Sequence, residues 1–386
     1  MADYLGSTLF ALIALFWAVQ GTRAVRGMAR LPTLGEAPLL KDGQYPRVSI
    51  LVAARNEAAK LPPALTSLLM QDYPDYEVIM VNDRSQDETP QILDEFDQEH
   101  EHLKVTHLTE LPPGWLGKPH ALTQAYQQAT GQWLLFTDAD VHFAPDLLKR
   151  SLSLALAQDW DHVTLLPFGR LEGFWEKTAI TYWVGTFALG LKPWRVSNPK
   201  AKEYVGVGAF QLVRRSTYEA IGTHQRLAME VVEDVKLGKL VKLGGFRSGV
   251  ALGKEWLHIR WVEGVGEYVR NLSKNMFAAC GFSVSYALLL VVLSLAVTVL
   301  PLGGLLFASG AVRNLSMVCV LAAGLTHMKN GVRLCGASPL YALTFPLGAV
   351  LLSYTLLRSM VVTLWQGGVL WRDTFYPLKD LRKGMV

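Results

Sequence analysis

The sequence has few cysteines and few charged residues for its length. Its 386 residues include three cysteines, and none of them lies in a CxxC motif or a Cys/His cluster. This pattern excludes a disulfide framework and gives no indication of a zinc module. Charged side chains make up 18% of the chain, below the roughly 25% of soluble domains, and the net charge is +4. So small a charge does not indicate a nucleic-acid-binding protein.

Two common nucleotide-binding motifs are also missing. No GxGxxG follows the first apolar, β-rich segment, and no GxxxxGK[ST] occurs anywhere in the chain. These absences disfavour a dinucleotide-dependent dehydrogenase and a P-loop nucleotidase.

Apolar residues, which make up 51% of the chain, are concentrated near its two ends. Residues 4–22 carry no charge, and Arg23, Arg26 and Arg30 follow at once. A bilayer-spanning helix needs about 20 apolar residues. Because the positive charges follow the apolar run, we expect an uncleaved anchor with residues 31–281 in the cytoplasm.

A second apolar region follows residue 281. Its uncharged runs are 282–312, 314–328, 334–357 and 359–371, the third of which ends at Arg358. The first three predict membrane spans, and the last predicts an interfacial or re-entrant piece. Buried helices of a soluble core are the alternative. Three spans would place the tail outside, whereas Lys379, Arg382 and Lys383 favour the inside, where we expect it.

These patterns divide the chain into five segments. We predict an anchor at 1–22, a linker at 23–45, a catalytic domain at 46–281, a transmembrane region at 282–371 and a basic tail at 372–386.

The middle segment alternates between short apolar strands and helical periodicity. The predicted strands are 48–55, 76–83, 103–108, 133–138 and 163–167, and the predicted helices are 58–71, 90–100, 118–130 and 145–157. Such alternation predicts an α/β fold with a mostly parallel sheet and helices on both faces. Ligands of such sheets bind at the carboxyl ends of the strands.

Carboxylates stand at two of these strand ends. Asp83 closes the second strand, and Asp138 and Asp140 close the fourth in a DxD pattern. Two such carboxylates can share a hard divalent cation together with phosphate oxygens of a substrate. Solvated turn aspartates or a helix cap are the alternative.

The order of the motifs resembles glycosyltransferase family 2, whose members have the GT-A nucleotide-binding fold. The matching segments are 48–89, GWLGKPHAL (114–122), FTDAD (136–140), GVGAFQLVRR (206–215), VVEDVKLG (231–238) and HIRW (258–261). The chain is most similar to membrane-anchored members that glycosylate lipids: ceramide glucosyltransferases, carotenoid-acid glycosyltransferases and hopanoid-associated glycosyltransferases. Ala53 replaces a proline of the family pattern and Asn82 replaces its first aspartate.

The resemblance implies a role for each motif residue. Glu57 and Asp83 would bind the nucleoside, Gly117 and Lys118 would lie by the diphosphate, and Asp138 would lie by the ribose or metal. Asp140 would ligate magnesium or manganese. Asp234 would be the general base, with Glu233, Arg260 and Trp261 on the acceptor or diphosphate side. Leu257 replaces the Gln or Arg that opens the family's last motif, and processive polysaccharide synthases usually carry that Gln.

Several of these residues also have structural interpretations. Lys118 could be a solvated lysine at a helix start, and Glu230, Glu233 and Asp234 could form a solvated helix face. Arg260 and Trp261 could anchor the chain at a membrane surface. The aromatic-rich segment 174–194 predicts an interfacial helix lining an acceptor entrance, or else an ordinary core helix. We interpret His107, His120 and His224 as loop or cap residues.

The sequence therefore predicts a membrane-bound, inverting glycosyltransferase of a bacterial-type inner membrane. The expected donor is a nucleotide sugar, with UDP preferred, and the expected acceptor is a lipid hydroxyl or carboxyl in the bilayer. A processive polysaccharide synthase and a non-catalytic membrane scaffold are the alternatives, and we expect no nucleic-acid partner.

Overall fold

The computed structural model describes residues 2–41, 43–169 and 171–386. The chain forms two compact units, each assembled from separate stretches of sequence. The catalytic-type unit comprises residues 31–169, 193–260 and 383–386. The helical unit comprises residues 1–30, 170–192 and 261–382.

Twelve strands and fifteen α-helices occur in the described residues. The strands are β1 (Val48–Ala54), β2 (Tyr76–Asp83), β3 (Leu103–Leu108), β4 (Trp133–Asp138), β5 (Val141–Phe143), β6 (His162–Leu166), β7 (Phe168–Gly169), β8 (Gln211–Arg214), β9 (Ser248–Leu252), β10 (Leu257–Ile259), β11 (Gly368–Trp371) and β12 (Thr374–Pro377). The helices are α1 (Ala2–Phe16), α2 (Thr22–Met28), α3 (Leu61–Leu69), α4 (Thr89–Glu99), α5 (Gly117–Gln128), α6 (Leu147–Ala157), α7 (Phe174–Leu191), α8 (Arg215–Ala220), α9 (Glu233–Leu243), α10 (Val265–Ala279), α11 (Val284–Thr298), α12 (Leu300–Phe307), α13 (Gly310–His327), α14 (Phe345–Gln366) and α15 (Leu378–Lys383).

The catalytic-type unit is built on a seven-stranded sheet with the order β3-β2-β1-β4-β8-β6-β9. β1 pairs in parallel with β2 and β4, as β2 does with β3 and β6 with β9. β8 runs antiparallel to both of its neighbours, β4 and β6. The predicted α/β fold with a mostly parallel sheet is therefore confirmed.

Most predicted strands in this unit match the structure to within a residue. Strands 76–83, 103–108 and 133–138 have the predicted bounds, and β1 ends one residue early. Sequence analysis missed β5, β7, β8, β9 and β10, most of which are short. The helix predicted at 58–71 begins instead at Leu61, because Pro62 and Pro63 fit only its first turn.

A second, three-stranded sheet has the order β5-β10-β7. β10 is antiparallel to β5, with Ile259 opposite Val141, and parallel to β7. Since β5 begins directly after Asp140, this register extends the chain beyond Ile259 towards that aspartate.

The helical unit holds four helices that are long and apolar enough to cross a membrane, counted over the described residues. They are Tyr4–Met28, Val284–Phe307, Gly310–Val332 and Pro339–Gln366. The first of these helices runs from α1 through a π-helical segment, Trp17–Gly21, into α2, and so extends beyond residue 22. Pro301 accompanies a break between α11 and α12, as expected for a residue that cannot donate the helical hydrogen bond.

The separate interfacial piece expected at 359–371 does not exist. Ser359 lies in the middle of α14, and its hydroxyl donates to the Ser273 carbonyl and accepts from the Phe277 amide. The helix ends at Gly367, which has a φ of 72°, and β11 and β12 follow as a hairpin. α14 therefore continues through Arg358, which the sequence showed as a boundary.

The aromatic-rich helix α7 is a packed helix of the helical unit rather than an exposed amphipathic one. Residues 178–182 are all buried, so side chains on every face of this turn are covered. Gly348 and Gly331 permit close packing, since an added Cβ would lie 2.4 Å from Tyr182 Cβ and 2.0 Å from the Thr181 carbonyl oxygen. Small residues commonly allow such close approach between membrane helices.

Glu77 joins the amino-terminal ends of neighbouring strands in the large sheet. Its side chain is 2% exposed and accepts hydrogen bonds from Ser49, Lys104 and Thr130. Burial alone would raise the pKa of Glu77, but these donors lower it from 4.5 to about 2. A carboxyl with a lowered folded-state pKa stabilises the fold above its ordinary pKa, and the effect is lost as the pH falls towards about 2.

We therefore expect Glu77→Gln to lower the free energy of unfolding by about 1–3 kcal/mol at pH 7, the range for lost hydrogen bonds to a charged group. The difference from the wild type should shrink as the pH falls below 4.5, because the carboxyl of the unfolded state takes up a proton there while that of the folded state stays ionised until about pH 2. Thermal unfolding of the detergent-solubilised protein at pH 7 and pH 3.5 measures both effects. Glu99→Gln, at an exposed residue of α4, is the matched control. An equal Tm for Glu77→Gln and the wild type at pH 7 would contradict the assignment.

Candidate functional site

Asp83 ends β2 in a tightly enclosed position. Its side chain is 6% exposed, and Arg84 donates to it through Nε at 2.8 Å and Nη2 at 3.3 Å. Arg55, at the end of the neighbouring β1, has Nη1 3.7 Å from Asp83 Oδ2. Gly117 must lack a side chain, because a Cβ there would lie 2.1 Å from Asp83 Oδ2. The first turn of α5 therefore packs directly against this carboxylate.

The loop that carries Glu57 is held by the polar side chains that follow Asp83. Asn56 has a left-handed φ of 54°, its amide donates to Ser85 Oγ, and its side chain accepts from the Gln86 amide. The Glu57 amide donates to Thr89 Oγ1 at 2.9 Å. Ser85 and Thr89, in the segment after β2, thus position Asn56 and Glu57 in the segment after β1. The sequence alone did not assign them this role.

Lys118 lies at the centre of the carboxylate cluster. Its Nζ is 2.5 Å from Asp138 Oδ1 and 2.8 Å from Glu233 Oε1. Burial alone would lower the pKa of Lys118, but Asp138, Glu233 and Asp234 raise it well above 10.5. Lys118 is therefore a bridging cation between the end of β4 and the start of α9, and the solvated-lysine interpretation is wrong.

The two DxD carboxylates have different surroundings. Asp138 pairs with Lys118, and it also packs against Gly208, where a Cβ would lie 2.5 Å from Asp138 Oδ2. Burial, together with the charges of Asp138 and Glu57, raises the pKa of Asp140 from 3.8 to about 7. No group of three or more His, Cys, Asp or Glu side chains suited to a metal occurs in the described residues. Protein side chains alone thus supply two carboxylates here rather than a complete metal cage.

Asp234 is held at the start of α9 by backbone donors. The Gly208 amide donates to its Oδ2 at 2.9 Å, and the Val235 amide donates to its Oδ1 at 2.8 Å. A Cβ on Gly206 would lie 1.8 Å from the Asp234 carbonyl oxygen, so the glycine-rich loop packs against this residue. Burial and the Glu233 carboxylate raise the pKa of Asp234 above 3.8. The solvated-face interpretation fails for Glu233, which is 4% exposed.

A buried polar layer lies beneath the glycine-rich loop. His162 Nδ1 is 2.8 Å from Ser248 Oγ, and its Nε2 is 3.1 Å from Gln211 Oε1. Thr164 donates to the Val205 carbonyl at the start of the loop. Gln211 also lines a small pocket beside Lys118 and Asp234. The sequence does not reveal these positioning residues, because each is a polar side chain among apolar neighbours in a short strand.

Two histidines interpreted as loop or cap residues are buried at the site. His224 is 1% exposed and lines the same pocket as Lys118. A hydrogen bond of 2.7 Å joins its Nδ1 to the Tyr218 hydroxyl. His120 is 7% exposed in the first turn of α5, with its ring 5.5 Å from that of Trp115. Burial is the first cause of the lowered pKa in both, so both are neutral near pH 7. His107 instead lies at the β3 end, where it contacts Asp94.

The last motif is divided between the two units. Arg260 ends the catalytic-type unit, immediately after β10, whereas Trp261 belongs to the helical unit and packs on Trp183 and Tyr268. Leu257, the departure from the family pattern, is fully buried in β10. The structure therefore gives Arg260 and Trp261 different surroundings, although they are adjacent in sequence.

The last residues of the sequence contact α9, the helix that carries Asp234 in its first turn. Lys236 and Lys239 of α9 donate to the Val386 carbonyl at 2.6 and 2.8 Å. The Val386 amide donates to Glu230, and its side chain packs against the core beneath α9. Residues 383–386 are thus part of the catalytic-type unit.

Comparison with known sequences identifies relatives that act on lipids and carotenoids. The chain is 36% identical over 144 residues to the beta-monoglucosyldiacylglycerol synthase of Synechocystis sp., a match covering 35% of this chain and 30% of that protein. It is 24% identical over 196 residues to the 4,4'-diaponeurosporenoate glycosyltransferase of Staphylococcus aureus, covering 50% of each chain. The matches therefore span half or less of these relatives' own lengths.

Solved structures show the same fold. The mannosyltransferase PcManGT from Pyrobaculum calidifontis, solved in complex with GDP-Man and Mn2+, superposes with a TM-score of 0.55 at 20% identity. The match covers 93% of this chain and 99% of that one, so the catalytic-type unit has a GT-A-like fold. The sequence model of glycosyl transferase family 2 matches residues 49–222, which contain the ends of β1, β2 and β4. Residues 49–222 of this chain therefore form a domain of the glycosyl transferase family 2 type.

Proposed function

We propose that this protein is a membrane-bound glycosyltransferase that moves a sugar from a nucleotide-sugar donor to a membrane lipid. The observation that carries the proposal is the cluster of carboxylates around Lys118, at the strand ends of a family 2 domain. Relatives named for glycolipid and carotenoid products support a lipid acceptor. Four helices of membrane-spanning length would keep the enzyme at the bilayer that holds such acceptors.

The donor would bind along the carboxyl edge of the sheet. Asp83 and Glu57 would bind the nucleoside, and Asp138 would lie near the ribose. Lys118, the central cation, and the close-packed Gly117 would lie near the diphosphate, where a point charge and the backbone amides at the start of α5 both favour anions.

The DxD carboxylates fit a divalent cation, magnesium or manganese. Asp138 and Asp140 bring like charges close together, and this proximity helps to raise the pKa of Asp140 to about 7. A cation would relieve that repulsion, and diphosphate oxygens would complete its oxygen ligands. When bound, it would supply positive charge that offsets the charge developing on the departing diphosphate.

Asp234 would act as the general base. Its two backbone hydrogen bonds fix the carboxylate, and its raised pKa suits a group that takes a proton near neutral pH. It would accept the proton of the acceptor hydroxyl while that oxygen attacks the anomeric carbon. The nucleoside diphosphate would leave from the opposite face, with inversion. An acceptor carboxylate would need no deprotonation and would use the same line of attack.

Glu233, Arg260 and Trp261 would lie on the acceptor or diphosphate side. Glu233 holds Lys118 and would set its position between the phosphates and the base. Arg260 follows the strand that pairs beside Asp140 and would place a cation near the leaving group. No feature of the described residues favours the polysaccharide-synthase or scaffold alternatives over lipid glycosylation.

The proposal is tested by incubating the purified full chain with nucleotide sugars and membrane lipid extracts. We expect a radiolabelled sugar to enter the lipid phase from one donor, and mass spectrometry would then identify the acceptor. Hydrolysis of the donor without any lipid product, across the whole panel, would contradict the proposed acceptor class.

We predict that Asp140→Ala abolishes transfer while the protein stays folded, because the diphosphate would lose a ligand of its cation. Isothermal titration should also show that Mn2+ no longer strengthens nucleotide binding. Asp97→Ala, at an exposed position of α4, is the control. Full activity of the variant, or of the wild type in chelator, would refute the metal assignment.

We predict that Asp234→Asn lowers turnover by about 100-fold or more, the usual scale for loss of a general base, with donor affinity close to normal. The amide keeps the shape of the carboxylate and removes its proton affinity. Single-turnover kinetics and nucleotide titration separate the two quantities. Near-normal turnover in this variant, with an inactive Glu233→Gln, would assign the base to the preceding residue.

We predict that the tail and the catalytic domain lie on the same, cytoplasmic side of the membrane. Residues 383–386 pack within the catalytic-type unit, so an even number of the three C-terminal candidate helices would cross. Single cysteines at Glu110 and Lys383, both exposed, can be labelled with an impermeant reagent, since the native cysteines are buried. Neither should react in intact cells and both should react after permeabilisation. Labelling of one alone, or of both from outside, would contradict this topology.

A further inference from the structure

Five exposed basic residues lie together at one end of the helical unit. The spanning helix made of α1 and α2 runs parallel to the spanning helix that begins with α13. A Cβ on Gly6 would lie 3.3 Å from Val312 Cγ2, and a Cβ on Gly21 would lie 2.5 Å from Thr326 Oγ1. The carboxyl-terminal ends of the two helices are therefore neighbours. The exposed basic residues at or just beyond these ends, which we call the basic end, are Arg23, Arg26, Arg30, Lys329 and Arg333.

The basic end has no acidic partner among the described residues. Residues 4–35 and 268–372, which include both spanning helices, contain no aspartate or glutamate. Helix α7 packs against the same end, and its one acidic residue, Glu176, accepts hydrogen bonds from the backbone amides of Glu172 and Gly264. None of the five basic side chains forms an ion pair within the part of the chain that the structure describes. Because like charges repel, this end of the unit favours an anion from outside the chain.

The turn between Lys329 and Arg333 has an irregular backbone and an unmet donor. Met328–Val332 is a π-helical segment that follows α13, and such segments frequently lie at functional sites. Asn330 in this segment is 1% exposed, and its buried Nδ2 has no hydrogen-bond acceptor among the described residues. Buried donors in folded proteins are almost always bonded, so a ligand rich in oxygen atoms at this turn would supply an acceptor that the protein itself does not.

An exposed apolar stripe leads along α13 to the basic end. Leu321, Leu325 and Lys329 follow one another at intervals of four residues, and side chains at this spacing lie on one helix face. Leu321 is 65% exposed, Leu325 is 55% exposed, and Lys329 is exposed as well. In a membrane the two leucines would face acyl chains, while the lysine would extend into the headgroup layer. This face therefore matches an amphiphile with an anionic head.

We propose that the basic end binds an anionic phospholipid of the surrounding bilayer. The lipid phosphate would lie by Lys329 and Arg333, with the arginines of α2 contributing charge, and one acyl chain would follow the apolar stripe. Basic clusters between membrane helices bind anionic headgroups in this way. A free phosphate would meet the same charges but would leave the stripe unused, so the site is assigned to a lipid. The inference does not rest on the proposed sugar transfer.

A diffuse attraction between the helical unit and anionic lipids makes a different prediction. Under diffuse attraction, removal of any exposed basic residue would weaken lipid binding by a similar factor. A built site would depend on Lys329 and Arg333 in particular. Arg313 is the matched control, because it is exposed and lies in the first turn of the same helix, about 24 Å from Lys329 along the helix axis.

The test is native mass spectrometry of the full chain in detergent, titrated with dioleoylphosphatidylglycerol or dioleoylphosphatidylcholine in the absence of nucleotide sugar. We expect the wild type to bind phosphatidylglycerol about 10-fold more tightly than phosphatidylcholine. The double variant Lys329→Gln/Arg333→Gln should bind phosphatidylglycerol at least about 10-fold more weakly, since each basic residue near an anionic headgroup contributes a factor of about 5. Arg313→Gln should change this affinity by no more than about 2-fold. The charge-preserving variant Lys329→Arg/Arg333→Lys should bind nearly as the wild type does.

Three results would overturn the lipid site. They are equal affinity of the wild type for the two lipids, an equal loss in Arg313→Gln and the double variant, and displacement of the lipid by excess inorganic phosphate, which would assign the charges to a free anion. Thermal unfolding shows whether each variant is folded, and phosphatidylglycerol should raise the Tm of the wild type but not that of the double variant. If the double variant does not fold, Lys329→Gln alone, with an expected loss of about 5-fold, decides the same question.

Discussion

The functional edge of this domain depends on one partly buried cation. Lys118 binds Asp138 and Glu233, from the end of β4 and the start of α9, and its charge also acts on Asp234. Neighbouring carboxylates repel one another strongly in a partly buried site. This repulsion raises the pKa of those acids that the Lys118 ammonium group compensates least. The ammonium group therefore lets the fold concentrate ionised carboxylates at one edge of the sheet.

Backbone packing makes that concentration possible. Gly117, Gly206 and Gly208 each lie where a Cβ would come within about 2.5 Å of an aspartate atom. The glycines bring amide groups close to the acids, as when Gly208 donates to Asp234. They also leave one face of the cluster bounded by main chain rather than by side chains. One ammonium group does not balance these carboxylates, since neighbouring acids still raise the pKa of Asp140 and Asp234. In the proposed mechanism, the divalent cation would offset this excess of negative charge before a diphosphate lies beside it.

Sequence patterns predicted the central strands and the candidate site motifs. They failed for short strands and for residues whose role depends on partners far away in the sequence. β1, β2 and β4 are largely apolar runs, as expected of strands buried on both faces, and the ends of β2 and β4 placed Asp83, Asp138 and Asp140 correctly on one edge. β8 and β10 are three or four residues long, so only their partners define them. The roles of Ser85 and Thr89 were missed because each acts on a residue about 30 positions away in the sequence. For α7 the sequence left an interfacial helix and a core helix both open, because an apolar segment rich in aromatics looks the same on a membrane surface and in a packed interior.

Strand alternation also explains how the departure at position 257 is tolerated. In β10, Leu257 and Ile259 are buried, while His258 and Arg260 are only partly so, which is the alternation of a strand with one covered face. A polar residue at position 257 in this register would point into the core and not towards Asp140. Its replacement by leucine therefore adds apolar burial and leaves the direction of Arg260 unchanged. The register with β5 is what carries Arg260 towards the DxD carboxylates, and it depends on the buried pair of Ile259 and Val141. The proposed role of Arg260 on the acceptor or diphosphate side is thus compatible with leucine at position 257, because the position of Arg260 follows from the pairing of β10 with β5 and not from that side chain.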